Sequence, residues 1–122
     1  MNIRLVVRGA PATKKTSQRI LTNRKTKKPF IARSKRTMGW TDNARMQCML
    51  QYKGAPLTGP VVVGYEIYRA AHRGDLGGFE AAIDDMLQGI AYVNDNQIIS
   101  RCYSRKLIDR GNPRVEILVT TP

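Results

Sequence analysis

Acidic residues are scarce in the first half of this chain. Residues 1–53 carry one, Asp42, against fourteen lysines and arginines. The run from Lys14 to Arg36, KKTSQRILTNRKTKKPFIARSKR, carries none. Like charge at that density repels itself, so the run does not pack as a core alone. Cysteine is also scarce: Cys48 and Cys102 lie far apart and form no CxxC, which excludes a disulfide framework and reads as two reduced thiols. With His72 as the single histidine and no clustering of His or Cys, no structural zinc site is expected. No apolar run reaches the length of a bilayer span and no charged-then-apolar leader opens the chain, so a cytoplasmic protein that does not insert in membranes is expected. The glycines at Gly74, Gly77 and Gly78 do not spell GxGxxG, and no GxxxxGK occurs, so no nucleotide or other small-molecule cofactor is expected.

What is present is enough for one folded domain spanning residues 1–122. The chain is 42% hydrophobic, with five Tyr, two Phe and one Trp. A core of this size is modest, and a homodimer would enlarge it. The net charge of +12 is concentrated at the basic excursion, about residues 12–37. Against a polyphosphate such a run releases counterions and binds strongly at low salt. A membrane-surface role would require an amphipathic basic helix, and this run has no clean apolar face. The plain alternative is a solvated loop that keeps the chain in solution. Nucleic acid is the partner class that fits best.

Along the chain, Asn2–Arg8 reads as a strand, ended by Gly9-Ala10-Pro11. The basic excursion follows, irregular or folded as a hairpin. Thr41 and Asp42 are candidate caps of a helix from about Asn43 to Tyr52. Val61, Val63, Tyr65 and Ile67 alternate onto one face of a strand over 61–69. Phe79, Ile83, Met86, Leu87 and Ile90 recur at helical spacing over about Gly78–Gln88, with Gly89 as terminator. Two more strands, Gln97–Lys106 and Arg114–Thr120, flank a turn at Arg110-Gly111-Asn112-Pro113. The expected fold is α/β: a small mixed sheet of about four strands with two main helices. Met46, Met49 and Leu50, or the Val61–Ile67 face, are the candidate dimer surfaces. Trp40 reads either as a core residue or as a base-stacking one.

Against this basic background, the stretch GDLGGFEAAIDDMLQGIAYVNDNQI, residues 74–98, gathers five of the nine acids. Asp75 sits where a loop gives way to a helix, and Asp95 in the polar turn Asn94-Asp95-Asn96 before a strand. Loop tips on a rigid scaffold are where site residues usually lie. If the strand before Asp75 and the strand after Asp95 are neighbours, the two carboxylates converge at one sheet edge. Converging carboxylates repel and call for a divalent cation such as Mg²⁺, which can polarise a phosphodiester and supply a hydroxide nucleophile. Residue type alone leaves plainer roles open: Asp75 as an N-cap, Asp95 as the acceptor of an Asx turn, Glu80 and Asp84 as a solvated helix face, and His72 as a surface residue rather than a general base.

The same stretch resembles the RusA-type Holliday junction resolvases of bacteria and their prophages. That family's signature runs approximately DLDN, two residues, KA, two residues, DAL, a short turn, and then DD-x-Q before a strand. Asp75-Leu76 matches its start, Ala82, Asp85 and Leu87 fall in register along the helix, and Asp95 with Gln97 matches its end. The opening strand, Gly9-Ala10-Pro11 and the basic run that follows fit as well. The resemblance implies a small homodimeric endonuclease that binds four-way DNA junctions and nicks two opposing strands symmetrically with Mg²⁺ or Mn²⁺. It carries the catalytic, metal-holding acids over to Asp75 and Asp95; where the family's further acid is missing, a nearby carboxylate, Asp85 ahead of Glu80 or Asp84, is the candidate third ligand. Lys14, Lys15, Arg19, Arg24, Lys25, Lys27 and Lys28 would clamp phosphates, and Arg69 and Arg73 would approach the scissile region. The departures are Gly77 and Gly78 for the second Asp and the Asn of DLDN, Ala81 for the helix lysine, and Asn94 for the first Asp of the DD pair. The alternative they leave is a junction binder of the same fold that cuts weakly or not at all.

Overall fold

The computed structural model describes residues 1–11, 18–22, 29–33 and 35–122, with side chains over 1–11 and 39–122. The elements are β1 (Asn2–Arg8), β2 (Gln18–Thr22), β3 (Pro29–Arg33), α1 (Lys35–Gln51), β4 (Val61–Arg69), α2 (Leu76–Met86), a short 3₁₀ turn (Asp95–Gln97), β5 (Ile98–Ile108) and β6 (Arg114–Thr120). Four strands form one mixed sheet in the order β1-β6-β4-β5. β6 runs antiparallel to both β1 and β4, whereas β4 and β5 are parallel, joined by α2 as a β-α-β crossover. This is the α/β class that the patterning implies. Within the basic excursion, β2 and β3 pair antiparallel as a separate hairpin.

Period-two burial explains the sheet. Ile3, Leu5 and Val7 of β1, Val61, Val63, Tyr65 and Ile67 of β4, and Val115, Ile117 and Val119 of β6 are all buried. They join Ala44 and Cys48 of α1 and Phe79, Ile83 and Met86 of α2 in one core, so both helices cover the same face of the sheet. The Val61–Ile67 face is therefore core and not a dimer surface. Trp40 packs against this core.

α1 begins at Lys35, well before the expected Asn43, and encloses Thr41 and Asp42 rather than being capped by them. The reason lies in the packing stripe. Trp40, Ala44 and Cys48 recur every four residues on the core side, so the apolar face already requires helix upstream of Trp40. Met46, Met49 and Leu50 lie on the outer face, exposed.

The outer edge of the sheet at β1 is closed by α1. Gln51 accepts from the Val6 amide at 2.8 Å and donates to the Val6 carbonyl at 2.7 Å. Gln47 does the same for Arg8, at 2.8 and 3.2 Å. Two side-chain amides thus stand in for a neighbouring strand, a direct remedy for an unpaired edge. At β5, on the other side, residues 99 and 102 have no partner in the register with β4, which marks two bulges. Gly64 lies opposite this irregular stretch: a Cβ there would meet Tyr103 Cζ at 2.7 Å.

Candidate functional site

The acidic stretch divides into three places. At the C-terminal end of β4, the loop 70–75 turns through Gly74, whose φ is +93°. A Cβ on Gly74 would lie 2.2 Å from Phe79 Cζ, so glycine is required by both conformation and space. Lys106 Nζ donates to the Gly74 carbonyl at 2.9 Å and ties the loop to the end of β5. Asp75 occupies the N-cap position of α2 in extended backbone, but its side chain makes no capping hydrogen bond. The N-cap role is thus filled in position only, and the exposed carboxylate is not spent on the helix. His72 and Arg73 are exposed in the same loop. Arg69 donates to the Pro11 carbonyl at 3.1 Å and lies over the Phe79 ring at 4.4 Å, so its guanidinium is held beneath the loop.

Midway along α2, Glu80 and Asp84 are not a solvated face. Asp84 accepts two bonds from Arg101 and one, at 2.6 Å, from the Tyr65 hydroxyl. Glu80 pairs with Arg101 at 3.3 Å. The Tyr92 hydroxyl donates to the Asp84 carbonyl at 2.7 Å. Helix and sheet are bolted together here, and this occupies two of the five acids. Burial pushes the Tyr65 and Tyr92 hydroxyls above the ordinary tyrosine range, with the Asp84 charge acting in the same direction.

At the other end of α2, Gln88 joins two acids. Its Nε2 donates to Asp85 Oδ1 at 2.9 Å, and its Oε1 accepts from the Asp95 amide at 3.2 Å. The Asx turn expected of Asp95 is made by Asn94, whose side chain accepts from the Asn96 amide at 2.9 Å. Gln97 Oε1 accepts from the amides of Val93 and Asn94, and its Nε2 donates to the carbonyls of Leu57 and Gly59, which precede β4. The glutamine that ends the acidic stretch is therefore the anchor that fixes the loop carrying Asp95. Arg45 of α1 donates to the carbonyls of Met86 and Gln88, both at 2.8 Å, satisfying backbone acceptors at the C-terminus of α2.

β4 and β5 are neighbours, as the convergence of Asp75 and Asp95 requires. They are parallel, however, and pair Val61 with Ile98 and Arg69 with Ile108. Asp75 follows the far end of β4, while Asp95 precedes the near end of β5. Within one chain the two acids therefore stand at opposite ends of the sheet, separated by the length of α2, roughly 16 Å of axial rise. Two ligands of one Mg²⁺ lie within about 4 Å of each other. Gln88 links the Asp85 side chain to the backbone amide of Asp95. Among the described residues, no three His, Cys, Asp or Glu side chains gather as a metal site. The acids of a single chain thus do not fit one shared ion.

Of the proposed phosphate clamps, Arg19 lies in β2, and Lys14, Lys15, Arg24, Lys25, Lys27 and Lys28 fall outside the described residues. Gln88, Arg45 and Arg101 are the organising residues that sequence reasoning missed. Gln88 alone had a local signal, its spacing of three from Asp85 on a helix.

Among the described residues, no helix is long and apolar enough to cross a membrane. A search of curated proteins gave no match. Comparison with protein-family models matches residues 9–120 to endodeoxyribonuclease RusA, a span that takes in the acidic stretch and all of the sheet but β1. With nearly its whole length matched, the chain belongs to the RusA family of endodeoxyribonucleases.

Proposed function

We propose that this protein is a structure-selective endonuclease that resolves four-way DNA junctions by paired nicks, with Asp75 and Asp95 as its catalytic carboxylates and Mg²⁺ or Mn²⁺ as the required ion. The family match over residues 9–120 carries this reading. Asp75 supports it, as an exposed carboxylate at a loop tip released from capping duty. The loop around it is rigidly seated by Gly74, Phe79 and Lys106, as a positioned acid needs. The acid-free run from Lys14 to Arg36 supplies the attraction for phosphate, and Arg73 adds an exposed cation two residues from Asp75. No base-reading pattern is evident in the run, so recognition rests on the shape of the branched duplex rather than on sequence.

A second reading is a junction binder that does not cut. The separation of Asp75 from Asp95 within one chain favours it, as do Gly77, Ala81 and Asn94 where the family stretch has Asp, Lys and Asp. Incubating the protein with a synthetic four-way junction, with and without Mg²⁺ or Mn²⁺, separates the two. The endonuclease reading expects ion-dependent nicks that Asp75→Asn abolishes while junction binding persists. Wild-type protein that binds the junction but never nicks it leaves the binder.

A further inference from the structure

Two cations of β5 lie on the sheet face that the helices cover. Arg101 pairs with Val63 and Lys106 with Ile67, both buried core residues, and paired neighbours share a face of the sheet. Their surroundings differ. Arg101 meets two carboxylates, Asp84 and Glu80. Lys106 meets none among the described residues. Its Nζ donates instead to the neutral Gly74 carbonyl at 2.9 Å. That bond takes one N–H of the ammonium and leaves its charge uncompensated.

The position of this ammonium is fixed. Gly74 turns at a φ of +93° against the Phe79 ring, so its carbonyl has a set direction. The next residue is Asp75. α2, which follows, carries no Lys or Arg. Arg69 is engaged beneath the loop by the Pro11 carbonyl and the Phe79 ring. We infer that Lys106 is a substrate-contacting residue of the cleavage site proposed above, its remaining N–H donors taking a non-bridging oxygen of the phosphate that Asp75 addresses. This rests on the assignment of Asp75 as a catalytic carboxylate. A carboxylate repels a phosphodiester. A seated ammonium beside it offsets that repulsion and stabilises the charge that gathers on the phosphate oxygens during cleavage, with little reorganisation.

The plain alternative is a staple that only pins the loop to β5. Elsewhere this fold pins carbonyls with neutral amides, as Gln97 does for Leu57 and Gly59. Arg45 also binds carbonyls, but at the C-terminus of α2, where the helix dipole favours a cation. Lys106 stands at the opposite end, where the dipole disfavours one. A staple has no use for charge there; a phosphate contact does.

Two variants separate these roles. Lys106→Met keeps the length of the stem and removes the charge and the donors, whereas Lys106→Arg keeps the charge. Fluorescence anisotropy on a four-way junction across a salt series is expected to show the log–log slope of Lys106→Met flattened by about 0.9 for each site bound, and that of Lys106→Arg at the wild-type value. Nicking in Mg²⁺ with protein in excess, at a temperature where urea midpoints show both variants folded, should fall on the order of a hundredfold in Lys106→Met and far less in Lys106→Arg. A Lys106→Met protein with the wild-type salt slope overturns the contact, whatever its nicking rate. A wild type that never nicks discards the cleavage reading, and the slope still decides whether Lys106 meets phosphate.

Discussion

Asp84 of α2 grips Arg101 of β5 through two hydrogen bonds, 2.6 Å from Nη2 to Oδ2 and 3.0 Å from Nη1 to Oδ1. The Asp84 side chain is only 13% exposed, and it also takes the Tyr65 hydroxyl. Removing the carboxylate leaves the Tyr65 hydroxyl without its acceptor and the Arg101 guanidinium with Glu80 as its remaining carboxylate. Asp84→Ala is expected to destabilise the fold by about 1–3 kcal/mol, seen as a lower urea midpoint. Because this acid ties helix to sheet and is not offered to DNA, junction affinity below the unfolding range should be unchanged. A large loss of affinity in a still-folded variant would move Asp84 into the site.

Stability should fall on the alkaline side. Burial raises the Cys48 thiol from its ordinary 9.0 to about 11, with Arg45 opposing, and raises the Tyr65 and Tyr92 hydroxyls as well. Below about pH 9 these groups are protonated in both states. Above it the unfolded chain ionises first and binds fewer protons than the folded one, so the stabilisation drains away as pH climbs through about 11. Urea midpoints measured from pH 8 to 11 should decline steadily. Cys48→Ala, though less stable throughout, should decline less steeply.

The two glycines beside Asp75 should respond in opposite ways. Gly74→Ala forces a β-carbon into the Phe79 ring at a positive φ, and a loss of about 2 kcal/mol or more is expected. At Gly77 a Cβ would touch nothing nearer than Asp75 Oδ2 at 3.5 Å. Gly77→Asp thus has room, and an acid in the first turn of α2 is favoured by the helix dipole. It also restores the second carboxylate of the family stretch. Nicking in Mg²⁺ should rise on the order of tenfold, measured as initial rate on a four-way junction. An unchanged rate would mean that the Asp75 loop does not face the scissile phosphate.

Much of this fold is legible in the sequence because its signals are local. β1, β4 and β6 alternate with period two since one face of the sheet meets the helices and the other does not. The start of α1 was not legible, because a possible cap at Thr41 or Asp42 is a weaker force than burying Trp40 beside Ala44 and Cys48. At the site, Asp75 and Asp95 are readable as loop-tip acids, and the adjacency of β4 and β5 can be anticipated. Which ends of those strands coincide depends on Val61 facing Ile98, a pairing across 37 residues that no local pattern encodes.

The glutamines that close β1 should matter more for solubility than for stability. Gln47 and Gln51 each satisfy an amide and a carbonyl of an exposed edge, where water can replace them at modest cost. The double variant Gln47→Ala, Gln51→Ala should lose about 1–2 kcal/mol. Its bare edge should also template association. Light scattering at rising concentration is expected to show growth that wild type lacks. If the variant stays monodisperse, the amides are not an edge cover.

The acid-free run makes a prediction that charge alone fixes. Each lysine that neutralises a phosphate releases condensed counterions, contributing about 0.9 to the log–log slope of affinity against salt on duplex DNA. Replacing Lys25, Lys27 and Lys28 by alanine should therefore flatten that slope by up to about 3 on a four-way junction. Because such contacts carry no sequence code, affinity should drop by a similar factor on junctions of unrelated sequence. Fluorescence anisotropy across a salt series measures both. A slope equal to that of wild type would show that these three lysines stay clear of the backbone and that the grip comes from the remaining cations of the run.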